Sequence, residues 1–323
     1  MRTDTLKGGA TVAFSNKKKQ QPALEGMNSN SAIVRQQTIA AYIFLLPALI
    51  FFVGFVVVPM LLCLGTSFFN YTMGKPMTFV GVSNYIEALR DKVFVKSFVN
   101  TVILVAVAVP SVTAFSLWVS CTIYKMKAIK RSFYRIVFYL PVVTGTVAVA
   151  VVWKWIFSKY NGVLNYLMTA TGAIDQNVSW LGESKTALAC IILILFTTSI
   201  GQPIVLYIAA LGNVDSSLID AAQVDGATNL QVFWHIKWPQ IMPTTLYILV
   251  ITTINSFQCY ALIQLLTSGG PNYSTSTIMY YIYYVAFSSS QYRYGYANAM
   301  GVILAIIIAV LSAVQFKFAG EKN

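Results

Sequence analysis

Long apolar stretches with almost no charge constrain this chain more than any other feature of its sequence. A helix rises about 1.5 Å per residue, so about 20 apolar residues cross the roughly 30 Å hydrocarbon core of a bilayer. Six stretches meet that requirement, and they predict an all-α integral membrane protein with six transmembrane helices. Their approximate bounds are residues 39–65, 98–124, 136–157, 187–211, 240–266 and 296–318.

The composition supports the same class. Hydrophobic residues make up 57% of the 323 residues and charged residues only 10%, which is outside the range of soluble domains. A net charge of +12 would suggest nucleic acid as a partner if the chain were soluble. Here the bases lie mostly beside apolar segments, where they indicate topology instead. We therefore predict no nucleic-acid partner.

The distribution of Lys and Arg predicts the orientation. With the N-terminus inside, the cytoplasmic segments contain 14 of the 22 bases. Both termini are therefore predicted to be cytoplasmic. We predict a disordered cytoplasmic tail over residues 1–38, a single transmembrane domain over residues 39–318 and a short cytoplasmic tail over residues 319–323.

The segment 215–243 concentrates scarce carboxylates between the fourth and fifth predicted spans. Asp215, Asp220 and Asp225 are the only acids between Glu183 and Glu321. Topology places this segment in the cytoplasm, where it is either a solvated amphipathic hairpin on the membrane surface or a docking surface for a soluble partner.

A helix-turn-helix is the predicted local structure of this segment. Oxygen-bearing side chains from Asp215 onward can cap a first helix, and Ser217 with Asp220 has the spacing of a capping box. Gly226 can adopt a positive φ without steric cost, so we predict a turn there and a new helix from Thr228 or Asn229. Pro239 then marks the entry into the fifth span.

Part of this segment resembles a known signature. Asp220-Ala221-Ala222, Gly226, Ile236 and Pro239 match the spacing of the EAA motif of bacterial ABC importer permeases, with Asp in place of Glu at 220 and Trp in place of Leu at 238. The chain is similar to the carbohydrate-uptake branch of that family, which includes MalF-like, lactose and glycerol-3-phosphate permeases, over about residues 38–320. Further similar segments are FVGVSNYIEAL (79–89), Asn100-Thr101, FYLPVV (138–143), Trp153 to Phe157, and GGPNYST (269–275).

The resemblance implies that the loop holds a coupling helix, which sits in a cleft of a cytoplasmic ATP-binding subunit. The chain has no phosphate-binding Gly-rich loop with Lys, so ATP and Mg would be used by that partner, and this chain would be neither an enzyme nor the holder of a cofactor. The residues implied in ATPase coupling are Asp220, Ala221, Ala222, Asp225, Gly226, Phe233, Ile236 and Pro239.

The same resemblance implies an assembly in a bacterial inner membrane. Its members would be a second permease subunit, two cytoplasmic ATP-binding subunits and an extracytoplasmic solute-binding protein. Transport of a sugar or oligosaccharide would proceed by alternating access through the two permeases.

A sugar path needs hydroxyl, amide and aromatic side chains without fixed charge. Such side chains occur in the last three predicted spans, and each could instead hold helices together. Thr252, Asn255 and Gln258 recur at helical spacing. The full set of candidate path residues is Asn255, Gln258, Thr252, Gln202, Tyr207, Tyr260 and Asn298.

Other functions remain open on the sequence alone. A self-sufficient secondary transporter or channel is one, although the spans hold almost no ionisable residue to carry a coupling ion. An ABC importer of glycerol-3-phosphate or another polar solute is a second. A membrane enzyme or metal site is disfavoured, because His235 is the only histidine and the four cysteines have no paired spacing.

Overall fold

The computed structural model describes residues 31–320 and is mostly helical. Residues 1–30 and 321–323, which make up most of the two predicted tails, lie outside the described residues. The chain divides after Pro59 into two units.

The described residues of the first unit, from Ser31 to Pro59, are helical and mostly apolar. Helix α1 (Ser31–Phe52) begins inside the segment predicted as a tail and continues through a π-helical turn (Val53–Val57) into α2 (Val58–Thr66). Its apolar side chains are exposed, and the ring of Phe44 is 85% exposed. A helix that is apolar all round suits the hydrocarbon of a membrane.

The second unit contains most of α2, one small sheet and the remaining helices. Strands β1 (Phe69–Asn70) and β2 (Thr78–Phe79) pair antiparallel, with Phe69 opposite Phe79. The helices of this unit are α3 (Ser83–Arg90), α4 (Lys92–Tyr124), α5 (Ala128–Val143), α6 (Thr146–Ile156), α7 (Val163–Ala170), α8 (Ala187–Ser199), α9 (Gly201–Gly212), α10 (Ser216–Val224), α11 (Asn229–Val232), α12 (Trp238–Phe257), α13 (Ala261–Leu266), α14 (Ile278–Tyr283) and α15 (Tyr294–Gly320). Two further π-helical turns cover Phe233–Lys237 and Tyr284–Ser288.

Four helical stretches among the described residues are long and apolar enough to cross a membrane. They correspond to the first, second, fourth and sixth predicted spans. Their bounds are Gln37–Thr66, Lys92–Tyr124, Ala187–Gly212 and Tyr294–Lys317. A fifth is obtained if α5 and α6 are counted as one bent span. The chain is therefore a multi-pass membrane protein, as its sequence predicts.

The third predicted span, 136–157, is not one straight helix. Its helical structure begins at Ala128 and bends by 96° between α5 and α6. Thr144 and Gly145 both adopt extended ψ angles, of 127° and 142°, which interrupts the helical hydrogen-bond ladder. Pro141 lacks a backbone N–H and lies in the last turn before this break.

The fifth predicted span, 240–266, is also interrupted. Helix α12 ends at Phe257 with Gln258 as its C-cap, and α13 begins at Ala261. The carbonyl oxygen of Cys259 inside the break accepts a 2.8 Å hydrogen bond from the Thr277 hydroxyl. A side chain 18 residues away thus satisfies a backbone group that the broken helix leaves free.

Small polar residues hold α4 against α9. The hydroxyls of Ser116 and Ser120, both fully buried, lie 3.3 and 3.1 Å from the carbonyl oxygens of Ile200 and Ile204. Gly201 lets α5 come equally close, because a Cβ there would lie 2.5 Å from the Phe138 carbonyl oxygen. Such close backbone approach is typical of helix packing in membranes.

The loop 267–277 is fastened to the start of α4. The amide of Asn100 donates to the carbonyl oxygens of Tyr273 and Ser276, both at 2.9 Å. The Thr101 hydroxyl accepts from the backbone amide of Ile278 at 3.0 Å. Two segments that are distant in sequence therefore form one hydrogen-bonded structure.

Candidate functional site

The first arm of the helix-turn-helix is α10, and Asp215 is its N-cap. The Asp215 carboxylate accepts a 2.9 Å hydrogen bond from the backbone amide of Ser217. That bond lowers the pKa of Asp215 below its usual value. The predicted capping box between Ser217 and Asp220 is wrong, because the helix begins at Ser216 and Ser217 lies inside its first turn.

The turn lies at Gly226, as predicted. Gly226 has a φ of +84°, a conformation that is strained for residues with a Cβ. The amide of Ala227 donates to the carbonyl oxygen of Ala222 at 2.9 Å, and the amide of Gly226 donates to that of Gln223 at 3.1 Å. These two bonds form a Schellman motif, which ends α10 and reverses the chain.

The second arm starts at the predicted place but continues further than predicted. Thr228 caps α11 in a capping box with Gln231. A π-helical turn then joins α11 directly to α12, and His235 Nδ1 lies 3.0 Å from the carbonyl oxygen of Gln231 in that turn. No loop therefore separates the second arm from the long apolar helix α12.

The surface of the helix-turn-helix combines exposed carboxylates with exposed apolar side chains. Asp220, Ala221 and Asp225 are exposed, and neither carboxylate forms an ion pair with any residue that the structure describes. The side chains of Val224 and Leu230 are 87% and 68% exposed. Apolar side chains that are exposed beside carboxylates are typical of an interaction surface.

A cavity of about 330 Å³ lies between the two arms, lined in part by Ala222, Asp225, Gly226 and Ile236. Ile236 also packs against the buried cluster around Tyr207 and connects the hairpin to the core of the unit. Of the remaining predicted coupling residues, Phe233 is half-buried beside Trp238 and Pro239 is exposed at the start of α12.

Three predicted path residues meet at one cavity of about 190 Å³ between α9 and α12. Gln202, Thr252 and Asn255 all line it. Sequence reasoning missed Thr198, Ser199 and Tyr247 on the same wall. The only sequence signal for the first two was a short polar run, Thr197 to Ser199, at the end of the apolar helix α8.

The other four predicted path residues lie elsewhere. Tyr207 is fully buried in a core cluster, and the Tyr260 ring packs on Tyr283 at 4.8 Å. The amide of Asn298 donates to the Thr66 hydroxyl at 2.7 Å. Gln258 is exposed beyond the end of α12 and does not line the cavity.

One protein-family model, described as the binding-protein-dependent transport system inner membrane component, matches residues 78–319. The chain belongs to this family. It is a permease subunit of an ABC importer and a component of a transport system.

Two relatives that are also permeases align with this chain over nearly the full length of both proteins. The probable ABC transporter permease protein YurN of Bacillus subtilis (strain 168) is 31% identical over 289 residues, which cover 88% of this permease and 98% of YurN. The lactose transport system permease protein LacF of Rhizobium radiobacter is 29% identical over 297 residues, or 91% and 99% of the two chains.

The fold of the permease is similar to that of a chain in a solved structure, the bacterial alginate ABC transporter in complex with an alginate pentasaccharide-bound periplasmic protein. The TM-score is 0.77 at 24% identity, over 88% of this permease and 95% of that chain.

Proposed function

We propose that this permease forms, with a second permease subunit, the membrane path for a sugar or oligosaccharide. An extracytoplasmic solute-binding protein delivers the sugar, and two cytoplasmic ATP-binding subunits drive the change between outward and inward access. The name of LacF supports a sugar as the substrate, since that relative covers nearly all of both chains. The uncharged cavity at Gln202, Thr252 and Asn255 supports it further.

The proposed topology has six spans within residues 39–318 and both termini in the cytoplasm of a bacterium. In this topology α12 with α13 forms the fifth span and α5 with α6 the third. The proposal is supported by the excess of Lys and Arg in the segments that it places inside. It also places the helix-turn-helix in the cytoplasm, within reach of the ATP-binding subunits.

The helix-turn-helix is the proposed coupling element, and its geometry carries the functional proposal. The Schellman turn at Gly226 presents Ala221, Val224 and Asp225 at one end of a compact hairpin. Small and apolar side chains fill the cleft of the ATPase, while the Asp220 carboxylate meets a cation there directly or through a water. ATP and Mg are used by that subunit, and this chain transmits the movement through α12.

The path is proposed to use hydrogen bonds in place of charges. Amide groups of Gln202 and Asn255 and the Thr252 hydroxyl each donate and accept, which suits sugar hydroxyls. These three side chains lie on two helices, α9 and α12, and the second follows the coupling element without a break. Movement of the hairpin would therefore alter the cavity.

Reconstitution tests the proposed function as a whole. Proteoliposomes that contain this chain alone should not take up lactose or other neutral oligosaccharides. Uptake should require the second permease, the ATP-binding subunits, the binding protein and ATP. Uptake by this chain alone would instead establish a self-sufficient transporter or channel.

Substitution of Gly226 tests the coupling element. Gly226→Asp adds a side chain at a φ of +84°, at a cost of about 1–2 kcal/mol. We expect the variant to insert into the membrane but to lose co-purification with the ATP-binding subunits and ATP-driven uptake. Gly74→Asp is the matched control, because Gly74 has a φ of +75° and equally open surroundings on the opposite side of the membrane in the proposed topology. Equal behaviour of the two variants would refute the coupling role.

A further inference from the structure

One stripe along α5 lines a second cavity, which shares no lining residue with the cavity at Gln202, Thr252 and Asn255. Its residues follow one another at intervals of three or one, so they share a single face of the helix. The cavity has a volume of about 520 Å³, and Val205 of α9 closes one side. The lining residues on α5 are Ser132, Arg135, Ile136, Tyr139, Leu140 and Val143.

The stripe changes from polar to apolar along the helix. Ser132 and Arg135 supply a hydroxyl and a guanidinium at its first end. Ile136, Leu140 and Val143 follow, and their side chains are 61–67% exposed. A phospholipid has the same division, with a charged head group at one end and an acyl chain at the other.

The length of the stripe also suits a lipid. From Ser132 to Val143 the helix rises by about 16 Å, at about 1.5 Å per residue. One leaflet is about half of the roughly 30 Å hydrocarbon core. The helix bends directly after Val143, so the stripe ends after about that length.

The positive charges near Ser132 and Arg135, at the polar end of the stripe, favour binding of an anion. Lys125, Lys127 and Lys130 precede Arg135, and the chain contains no Asp or Glu from residue 92 to residue 174. Within residues 31–320, Arg135 forms no ion pair. Arg131 is partly engaged, since its guanidinium lies 5.8 Å from the centre of the Tyr124 ring. The polar end is therefore a basic patch beside an apolar stripe, and none of its bases forms an ion pair within residues 31–320.

The geometry points to a binding site for an anionic phospholipid of the cytoplasmic leaflet. Its phosphate lies against Arg135 and Ser132, and one acyl chain lies along Ile136, Leu140 and Val143. Basic pockets beside transmembrane helices on the cytoplasmic side bind anionic head groups in this way. The leaflet follows from the proposed function, whose topology places residues 125–135 inside.

Lipid binding by the purified full-length chain tests the site. Native mass spectrometry in mild detergent should show tighter binding of palmitoyl-oleoyl-phosphatidylglycerol than of the matching phosphatidylcholine. Arg135→Gln should weaken phosphatidylglycerol binding about fivefold, the effect of one basic residue near an anionic head group. Arg135→Lys keeps the charge and should retain most of the binding.

Lys154→Gln is the charge-matched control, because Lys154 is an exposed base on α6, beyond the bend. The Lys154→Gln variant should bind phosphatidylglycerol as tightly as the wild type does. Equal loss in Lys154→Gln and Arg135→Gln would overturn the site in favour of non-specific attraction. Unchanged lipid binding in Arg135→Gln, with loss of the co-purified second permease, would overturn it in favour of a protein interface.

The leaflet is tested separately. A maleimide applied from the cytoplasmic side should label Arg135→Cys in an otherwise cysteine-free chain. Labelling only from outside would refute the proposed topology and the leaflet, while the detergent experiment would still decide whether the stripe binds anionic lipid.

Discussion

The hydroxyl of Thr277 and the carbonyl oxygen of Cys259 are joined by a 2.8 Å hydrogen bond across the break that follows α12. The same hydroxyl accepts from the backbone amide of Tyr280 at 3.3 Å and so caps α14. One fully buried side chain therefore satisfies backbone groups at the ends of two helices.

Thr277→Val should lower the thermal unfolding temperature of the detergent-solubilised permease. Valine keeps the shape but leaves a buried carbonyl and a helix amide without a partner, at a cost of about 1–3 kcal/mol. Thr277→Ser keeps the hydroxyl and should retain most of the stability that Thr277→Val loses. Thr122→Val is a suitable control, since the exposed Thr122 hydroxyl bonds only within its own helix, to Trp118 at 3.0 Å. Equal shifts in the two valine variants would contradict the role of the Cys259 bond.

Asp91 should make the stability of the permease depend on pH. Its carboxylate caps α4 through the amide of Val93 at 2.8 Å and accepts from the hydroxyls of Tyr281 and Tyr296 at 2.6 and 2.9 Å. Burial raises the pKa of Asp91, but the hydrogen bonds together hold it below its usual value. The ionised form is therefore the one that stabilises the fold.

The expected pH profile follows from that direction. The contribution of Asp91 is fully present above its unfolded pKa of about 4, and it is lost as the pH falls through the lower pKa of the folded state. Unfolding temperatures of the wild type and Asp91→Asn, measured from pH 7 to pH 3, should therefore converge at low pH. Tyr281→Phe should reduce the difference at pH 7. A constant difference across the range would contradict this assignment.

Features that depend on one residue or on one continuous stretch of sequence were predicted well. The turn at Gly226 depends on one residue that tolerates positive φ, and the second, fourth and sixth spans depend on length and apolar composition. The bend at Thr144 and Gly145 was not predicted, because the apolar stretch around it is long enough for a continuous span and Pro141 alone does not fix where, or by how much, a helix bends. The break at Gln258 frees the carbonyl oxygen of Cys259, and the Thr277 hydroxyl that satisfies it is brought close only by the tertiary fold.

That break also explains the mixed outcome for the candidate path. Helical spacing correctly grouped Thr252 with Asn255, because both lie within α12. The same spacing added Gln258, but the helix ends at Phe257 and the spacing no longer applies. Tyr207 has a suitable chemical group, yet the sequence gives no sign that its side chain turns into the core.

Arg293→Lys should weaken the attachment of α3 to the start of α15. The Arg293 guanidinium donates two bonds to the Glu87 carboxylate, at 2.7 and 2.6 Å, and lies 4.5 Å from the centre of the Tyr296 ring. Lysine cannot make the paired bonds. The expected loss is about 1 kcal/mol or less because both side chains are partly exposed. The loss of stability is measured as the difference in thermal unfolding temperature between the wild type and Arg293→Lys in low salt. Arg90→Lys, at an exposed position, is the control. In 1 M salt the difference between the wild type and Arg293→Lys should shrink.

The last prediction separates two polar residues at the end of α12. Asn255→Leu removes an amide from the cavity that Gln202 and Thr252 share, and Gln258→Leu makes a comparable change outside it. In the reconstituted importer, Asn255→Leu should raise the KM for sugar uptake about tenfold, the value of one or two lost hydrogen bonds. Gln258→Leu should have little effect. Both side chains are exposed, so both variants should fold and insert normally.

The opposite result would be equally informative. If Gln258→Leu impaired uptake and Asn255→Leu did not, the sugar would pass along the break at Gln258 and Cys259 instead of the cavity. If neither variant changed the KM while both kept ATP-driven transport, the contacts with sugar would lie mainly on the second permease. Measurement of the KM and the maximal rate together is required, because a change in the rate alone would indicate altered coupling through α12 and not lost contact with the sugar.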